Sequence, residues 1–576
     1  MAAVVTAFAL LIFVLGYRFY ARAIGRRIFE DHDPSFVTPA HEFEDGHDFV
    51  PSKRPVLFGH HFTSIAGAAP IIGPCVAAYW GWLPALLWIV LGTVLMGAVH
   101  DYGALVVSVR EKGRSIADVA GTVVSGRVRL MFLCFVMVLS WLVLAVFAMA
   151  IADLFVQVPS SVLPINVGIV VALVVGWLLY KRGVAPLIPS LIAFVVLYLF
   201  IWIGTKVPID LAATGLAPEQ VKLTWILALF VYSAVASLLP VWLLLQPRDY
   251  VNSHQLLVGL GLLFVGLFVA HPDFDAPAIR LSGEDAPSMF PFLFVTIACG
   301  AVSGFHGLVS SGTTSKQLDK LEDARLIGYG SMLGEGALAL AATMAAVAGI
   351  GLVGFCTLPG GAVVEDLSWA VYYDSWAHAS GNKAAAFVLG GSAFLTTLGF
   401  STVLASTLMA VLVISFASTT LDTATRIERL IIAEIGDAIK VPALRNPYVA
   451  SMIAVVPAIM LATMRIDGGT REAAWALWPV FGASNQMIAS LTLLILVLYF
   501  WQRRRPVLPL VIPMIFVMAV TMFSLGLHLV DYWAASQWLL VGLTVLLTSL
   551  MLWMNFESIG LFLRLLRERR QAANPR

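Results

Sequence analysis

The chain has 576 residues, of which 60% are hydrophobic and only 12% charged, and its mean hydropathy is +0.90. Soluble domains carry about 25% charged residues, so a soluble enzyme or regulator is excluded. A formal net charge of +1 also argues against a nucleic-acid partner.

Apolar runs of roughly 20 residues, enough to cross a bilayer as helix, recur from end to end. They predict an all-α polytopic membrane protein of about 15 spans: 3–20, 63–80, 82–108, 130–156, 164–180, 186–204, 223–245, 256–271, 290–311, 328–356, 385–417, 448–464, 473–501, 507–527 and 535–559. The first, MAAVVTAFALLIFVLG, has no basic residue ahead of it and no clear cleavage site, so it reads as a retained span. The acidic loop FEDHDPSFVTPAHEFEDGHDFVPSKRPV follows, with His32, His41 and His47 among its acids. It reads as solvated, with pH or metal sensing as the alternative.

The second span opens on FGHHFTSIAGAAPIIGP (58–74), which sets two prolines, three glycines and the pair His60–His61 before a short apolar stretch. The third ends near GAVHDYG, which carries His100 and Asp101; the fourth contains Asp153. LLPVWLLLQPRDY (238–250) is a further irregular stretch, and its Arg248 and Asp249 read as a pair at a cytoplasmic helix end. The ninth span contains TIACGAVSGFHGLVSSGTTSKQ (296–317), a run of glycines and hydroxyls around His306 that no lipid-facing helix needs. GYGSMLGEG adds Glu335 at the head of the tenth span, and 385–417 is long enough to hide a break. STTLDTATRIERLIIAEIG reads as an amphipathic cytoplasmic helix whose Asp422, Arg426, Glu428 and Arg429 pair along one face. In WPVFGASNQ, Asn485 and Gln486 read as amides bridging helices, with substrate contact as the alternative.

With the N-terminus outside and the spans alternating, 29 of the 35 Lys+Arg fall in inside loops, the bias of cytoplasmic segments. The termini are therefore expected to be periplasmic and cytoplasmic, in that order. This topology makes the second and ninth spans antiparallel. Irregular backbone at membrane depth is tolerated where it is buried in protein or lines a cavity. Half-helix N-termini there offer N–H groups to an anion, and unwound carbonyls offer oxygens to a cation. The expected organisation is a first span and loop (1–60), a transporter core with breaks near 63–80 and 290–315 (61–417), and C-terminal helices with a short basic tail (418–576). The proline-containing seventh span, which runs in the same direction as the ninth, is the rival partner for the second.

The candidate substrate residues are Ser64, Gly67, Pro70, Gly73, Ser303, Gly304, His306, Ser310, Ser311, Thr313 and Thr314. Intramembrane ionisable groups default to function, so Asp101, His306, Glu335 and His61 are the candidates for proton coupling. Lys316 marks the cytoplasmic boundary or, alternatively, pairs with an anionic substrate. The four cysteines, Cys75, Cys134, Cys299 and Cys356, form no CxxC pair and read as small core residues, so neither metal nor cofactor is expected. Neither GxSxG nor HExxH occurs, so no enzymatic chemistry is expected.

Taken together, FGHHFTSIAGAAPIIGP, WGWLPALLWIVLGTVLMGAVHDYGALVVSVR, LLPVWLLLQPRDY, FPFLFVTIACGAVSGFHGLVSSGTTSKQ, GYGSMLGEG and WPVFGASNQ resemble the carbon starvation protein A family of bacterial inner-membrane proteins, over about residues 1–530. The resemblance implies a secondary transporter with a leucine-transporter-like inverted-repeat core plus extra helices. It also implies uptake of pyruvate by proton symport, or of peptides during carbon starvation. A sodium-coupled carrier and a membrane sensor without transport are the other readings. The expected partners are a small-molecule substrate, its coupling ion and the bilayer, with homo-oligomerisation left open.

Overall fold

A computed structural model describes residues 1–573 apart from 282, 284–285, 358–362, 382–383 and 467–470. Lys383 and the last residues of the basic tail, both used in the charge tally above, lie outside the described residues. Strand among the described residues is confined to two short hairpins, Phe355–Thr357 with Val363–Glu365 and Arg465–Ile466 with Arg471–Glu472. Everything else of regular structure is helix, and 12 helices are long and apolar enough to cross a membrane. Each of the 15 predicted segments falls on a helix or on an interrupted one.

Two segments are broken in mid-course. Arg54–Ile65 and Ala69–Trp80 bend by 44° at their junction. Small residues, Ala66 to Ala68, leave the backbone free there, and Pro70 sits in the first turn of the second half, where its missing N–H costs nothing. The other broken segment runs as Met289–Thr296, Ala298–Ala301 and Gly304–Gly312, with Val302 and Ser303 fully extended between the last two.

The two broken segments pack face to face and antiparallel. His60 and His61 meet Thr313 and Thr314 at one end. At the other end a Cβ on Gly73 would lie 2.3 Å from the Thr296 carbonyl oxygen, so only glycine permits this approach. Around this pair, 89% and 94% of the most apolar 18-residue stretches of Leu321–Leu352 and Trp478–Gln502 are buried, against 33% or less in those of Pro159–Lys181, Leu187–Lys206 and Pro218–Leu238, which form a lipid-facing rim. Polar residues collect on the first set and apolar ones on the second, as hydrocarbon demands.

The predicted 385–417 segment does hide a break: it is a helical hairpin, Ala385–Thr396 and Thr402–Ala438, in which a Cβ on Gly391 would meet Met409 Sδ at 2.8 Å. Its turn contains Gly399 at φ +92°, a conformation glycine adopts freely. The amphipathic cytoplasmic stretch is the continuation of Thr402–Ala438, and the divisions expected after residues 60 and 417 both fall inside helices. LLPVWLLLQPRDY is irregular as expected: it joins Pro218–Leu238 to Leu245–Ala270, and Arg248 and Asp249 lie near the start of the second helix, as a helix-end pair that is buried.

Candidate functional site

His306 is carried by the half-helix Gly304–Gly312, whose first turn is held by one amide side chain. Asn485 Oδ1 accepts from the Phe305 N–H at 2.9 Å, and Asn485 Nδ2 donates to Ser303 Oγ at 3.1 Å. The free donors of a helix start are thus met from a neighbouring helix. Gln486 bridges in the same way, Nε2 donating to the Phe294 carbonyl at 2.7 Å.

Held there, His306 lies between two carboxylates. Its Nδ1 is 2.9 Å from Asp101 Oδ2, and its Nε2 is 3.0 Å from Glu335 Oε2, close but without hydrogen-bond alignment. The other oxygen of Asp101 receives His100 Nδ1 at 2.7 Å. All four side chains are fully buried. Ser310 and Ser331 stand one turn beyond His306 and one turn before Glu335, on the same helix faces. Their hydroxyls, His61 Nε2 and His100 Nε2 have no hydrogen-bond partner among the described residues. Buried polar atoms without partners are rare and costly, and their concentration around His306 marks this cluster as a candidate functional site.

A second buried centre lies on the first broken helix. His60 Nδ1 is 2.6 Å from Asp249 Oδ2, and Ser64 Oγ donates to the same oxygen at 3.3 Å. Arg248 stands 3.5 Å from Asp249 Oδ1 and pairs with Asp422, while the Tyr232 hydroxyl is 2.6 Å from Arg248 Nη1 and 2.7 Å from Asp422 Oδ2. His60 Nε2 faces Thr313 Oγ1 at 3.3 Å and Gln317 Nε2 at 3.4 Å.

The predicted site residues therefore divide. His61, His306, Ser310, Thr314, Asp101 and Glu335 gather around the first centre, whereas Ser64 and Thr313 belong to the second. Ser311, expected at the substrate, turns instead to the Ile116 N–H at 3.0 Å and the Gly307 carbonyl at 2.7 Å. Ser303 is occupied by Asn485. Gly73 and Gly304 serve close approach; a Cβ on Gly304 would lie 2.3 Å from the Asn485 carbonyl oxygen. Gly67 sits at the break, where a Cβ would meet Phe147 and the Thr420 hydroxyl at 2.8 Å; Pro70 shapes the half-helix start. Lys316 stacks 5.6 Å over Phe49 of the first loop and points away from both centres. Asp153 lies apart, 2.6 Å from Lys222. Sequence reasoning had no signal for Tyr232, and it paired Asp422 along its own amphipathic helix rather than with Arg248.

The loop before the first broken helix closes this side of the molecule. Val50 and Ser52 donate backbone hydrogen bonds to the Lys316 and Gln317 carbonyls at 3.2 and 3.0 Å. His41 Nε2 meets Asp319 at 2.7 Å, and Asp48 pairs with Arg426 at 2.5 Å. Partial burial pushes the Asp48 carboxyl up, but the Arg426 and Lys316 charges outweigh it and hold the group well below the usual carboxylate range.

The model of the family described as Carbon starvation protein CstA matches residues 1–524. A Helicobacter pylori protein named Peptide transporter CstA is 33% identical over 553 residues, covering 89% of this chain and 80% of the relative. An Escherichia coli protein named Pyruvate/proton symporter BtsT is 33% identical over 593 residues, covering 90% and 80%. Among solved structures, an Eremococcus coleocola manganese transporter aligns over 90% of this chain and 99% of its own, with a TM-score of 0.47 and 12% identity.

Proposed function

This chain belongs to the carbon starvation protein CstA family and is a multi-pass membrane transporter, not an enzyme; from that premise we propose that it takes up a small carboxylate such as pyruvate by proton symport. The observation that carries this reading is the fully buried clasp of His306 between Asp101 and Glu335, on a half-helix. Two carboxylates and one imidazole within hydrogen-bond reach carry net negative charge unless protons bind, and a buried net charge is costly. Each proton that binds removes one of these negative charges. A carboxylate substrate then meets the Ser310 hydroxyl and protonated imidazoles instead of repelling anions.

The proposed orientation has a periplasmic N-terminus in the bacterial inner membrane. The Met1 amino group lies 2.9 Å from Asp273, in the loop between the eighth and ninth predicted spans that the alternating topology places outside, and the basic segments at Lys316 and Arg426 lie together against Asp48. Peptide uptake is the second reading, favoured by the name of the H. pylori relative, Peptide transporter CstA. Asp101 or Glu335 would then receive the peptide amine.

The test is uptake of labelled pyruvate by proteoliposomes, with and without an imposed pH gradient. Accumulation only with the gradient supports the reading. Gradient-driven dialanine uptake without pyruvate uptake replaces it with the peptide reading, and uptake driven by sodium alone overturns the coupling.

A further inference from the structure

Resting on the proton-coupled reading above, we propose that His60 and Asp249 form a second proton-binding site, so that each substrate crosses with two protons. The two broken helices each carry one fully buried histidine whose Nδ1 is fixed by an aspartate from an unbroken helix: His306 by Asp101 at 2.9 Å, and His60 by Asp249 at 2.6 Å. The first centre is already claimed by the proposed mechanism. The second is a separate set of side chains on the opposite broken helix.

Its charges call for a proton. Asp249 and Asp422 supply two negative charges and Arg248 one positive charge, with Tyr232 neutral between Arg248 and Asp422. With a neutral imidazole the buried cluster is net −1; with His60 protonated it is neutral. Besides Asp249, the groups that face His60 from other elements are uncharged, Thr313 and Gln317 from the end of the other broken helix, and Thr423 follows behind Ser64. On its own helix, His61 is turned to Thr314 at 2.8 Å. No neighbour other than Arg248 in this set offsets the two aspartates.

The position also ties the site to motion. His60 Nε2 touches the chain that ends the half-helix carrying His306, so any movement between the broken helices changes both imidazole environments together. A line of polar side chains leads from it to the cytoplasmic loop: Gln317 bonds Gln246, and Gln246 Nε2 donates to Ser52 Oγ at 2.8 Å.

Two protons with one pyruvate move one positive charge inward per cycle, whereas one proton is electroneutral. Purified full-length protein in proteoliposomes decides between them by its zero-flux condition, which does not depend on how much of the protein is active. Without a pH gradient, about 59 mV, inside negative, should balance a tenfold inward accumulation of pyruvate. His60→Gln and Asp249→Asn should each lose this voltage dependence while retaining balance by a pH gradient. A dialanine probe, neutral overall, should show roughly hundredfold accumulation at the same potential in the wild type and tenfold in the variants. Proton-driven but voltage-independent pyruvate uptake by the wild type overturns the second site and leaves the symport reading intact; absence of any proton coupling overturns that reading itself. An unchanged two-proton balance in both variants overturns the assignment to His60 and Asp249. Should either variant fail to insert, the wild-type balance still decides the stoichiometry.

Discussion

The two buried histidine centres look alike from their Nδ1 side and differ on the far side. Beyond His306 stands a second carboxylate, Glu335, with no cation in the clasp; beyond Asp249 stands Arg248, shared with Asp422. The first centre is poised to gain and lose charge. The second is partly neutralised from within and so contributes to holding helices Leu245–Ala270, Pro218–Leu238 and Thr402–Ala438 together as well as to titration. A permanent guanidinium in a carboxylate cluster converts a charge-changing site into one that also acts as a brace.

That contrast can be broken by exchanging what each centre depends on. Glu335→Gln should lower pH-gradient-driven uptake by about 100-fold, the lower end of what a positioned proton-transfer group contributes, with little change in melting temperature. Near-normal, pH-dependent uptake would remove Glu335 from the mechanism. Arg248→Met should do the opposite. It leaves Asp249 and Asp422 buried without a cation, a loss of about 3–5 kcal/mol, read as a lower melting temperature in detergent. Unaltered thermal stability would show that Arg248 is no brace.

Asn485→Ala sharpens the picture at the break itself. The Phe305 N–H and Ser303 would lose their partner, which costs about 1–3 kcal/mol and should weaken uptake without changing its proton dependence; a changed dependence would place Asn485 in the coupling chain. The smallest effect is expected at the loop. Asp48→Asn should loosen residues 40–52 by about 1 kcal/mol, seen as faster hydrogen exchange. Because Asp48 is held below the usual carboxylate range, its contribution is present above that range and fades only as pH falls through its own lowered value. Wild-type protection over 40–52 should therefore persist down to about pH 5, and loss of protection at that pH would contradict the pairing.

The breaks were legible in the amino-acid sequence because glycine, proline and hydroxyl groups stand out inside apolar runs, where hydrocarbon permits them only with a purpose. Their antiparallel pairing was legible from charge in the loops. The second centre was not. QPRDY reads as a helix-end pair, which it is, but its long-range partner Asp422 stands 174 residues away from Arg248. Asp422 in turn reads as one of a row of i,i+4 pairs on an amphipathic cytoplasmic helix, since a local pattern cannot show that the helix runs on into protein. The break within 385–417 was legible from length alone, but its place at Gly399 was not: both arms of the hairpin are apolar there, and one glycine in such a run has no unique meaning. Ser311 was over-read, because a hydroxyl on a glycine-rich helix is equally suited to bonding its own carbonyls.

The central claim is that substrate and protons move together through the His306 clasp. The most direct measurement is lumenal pH in proteoliposomes loaded with a trapped pH dye, with no starting gradient, on addition of pyruvate outside. The account predicts lumenal acidification with the wild type and none with Glu335→Gln. Acidification by both proteins, or pyruvate entry without any acidification in the wild type, would contradict it.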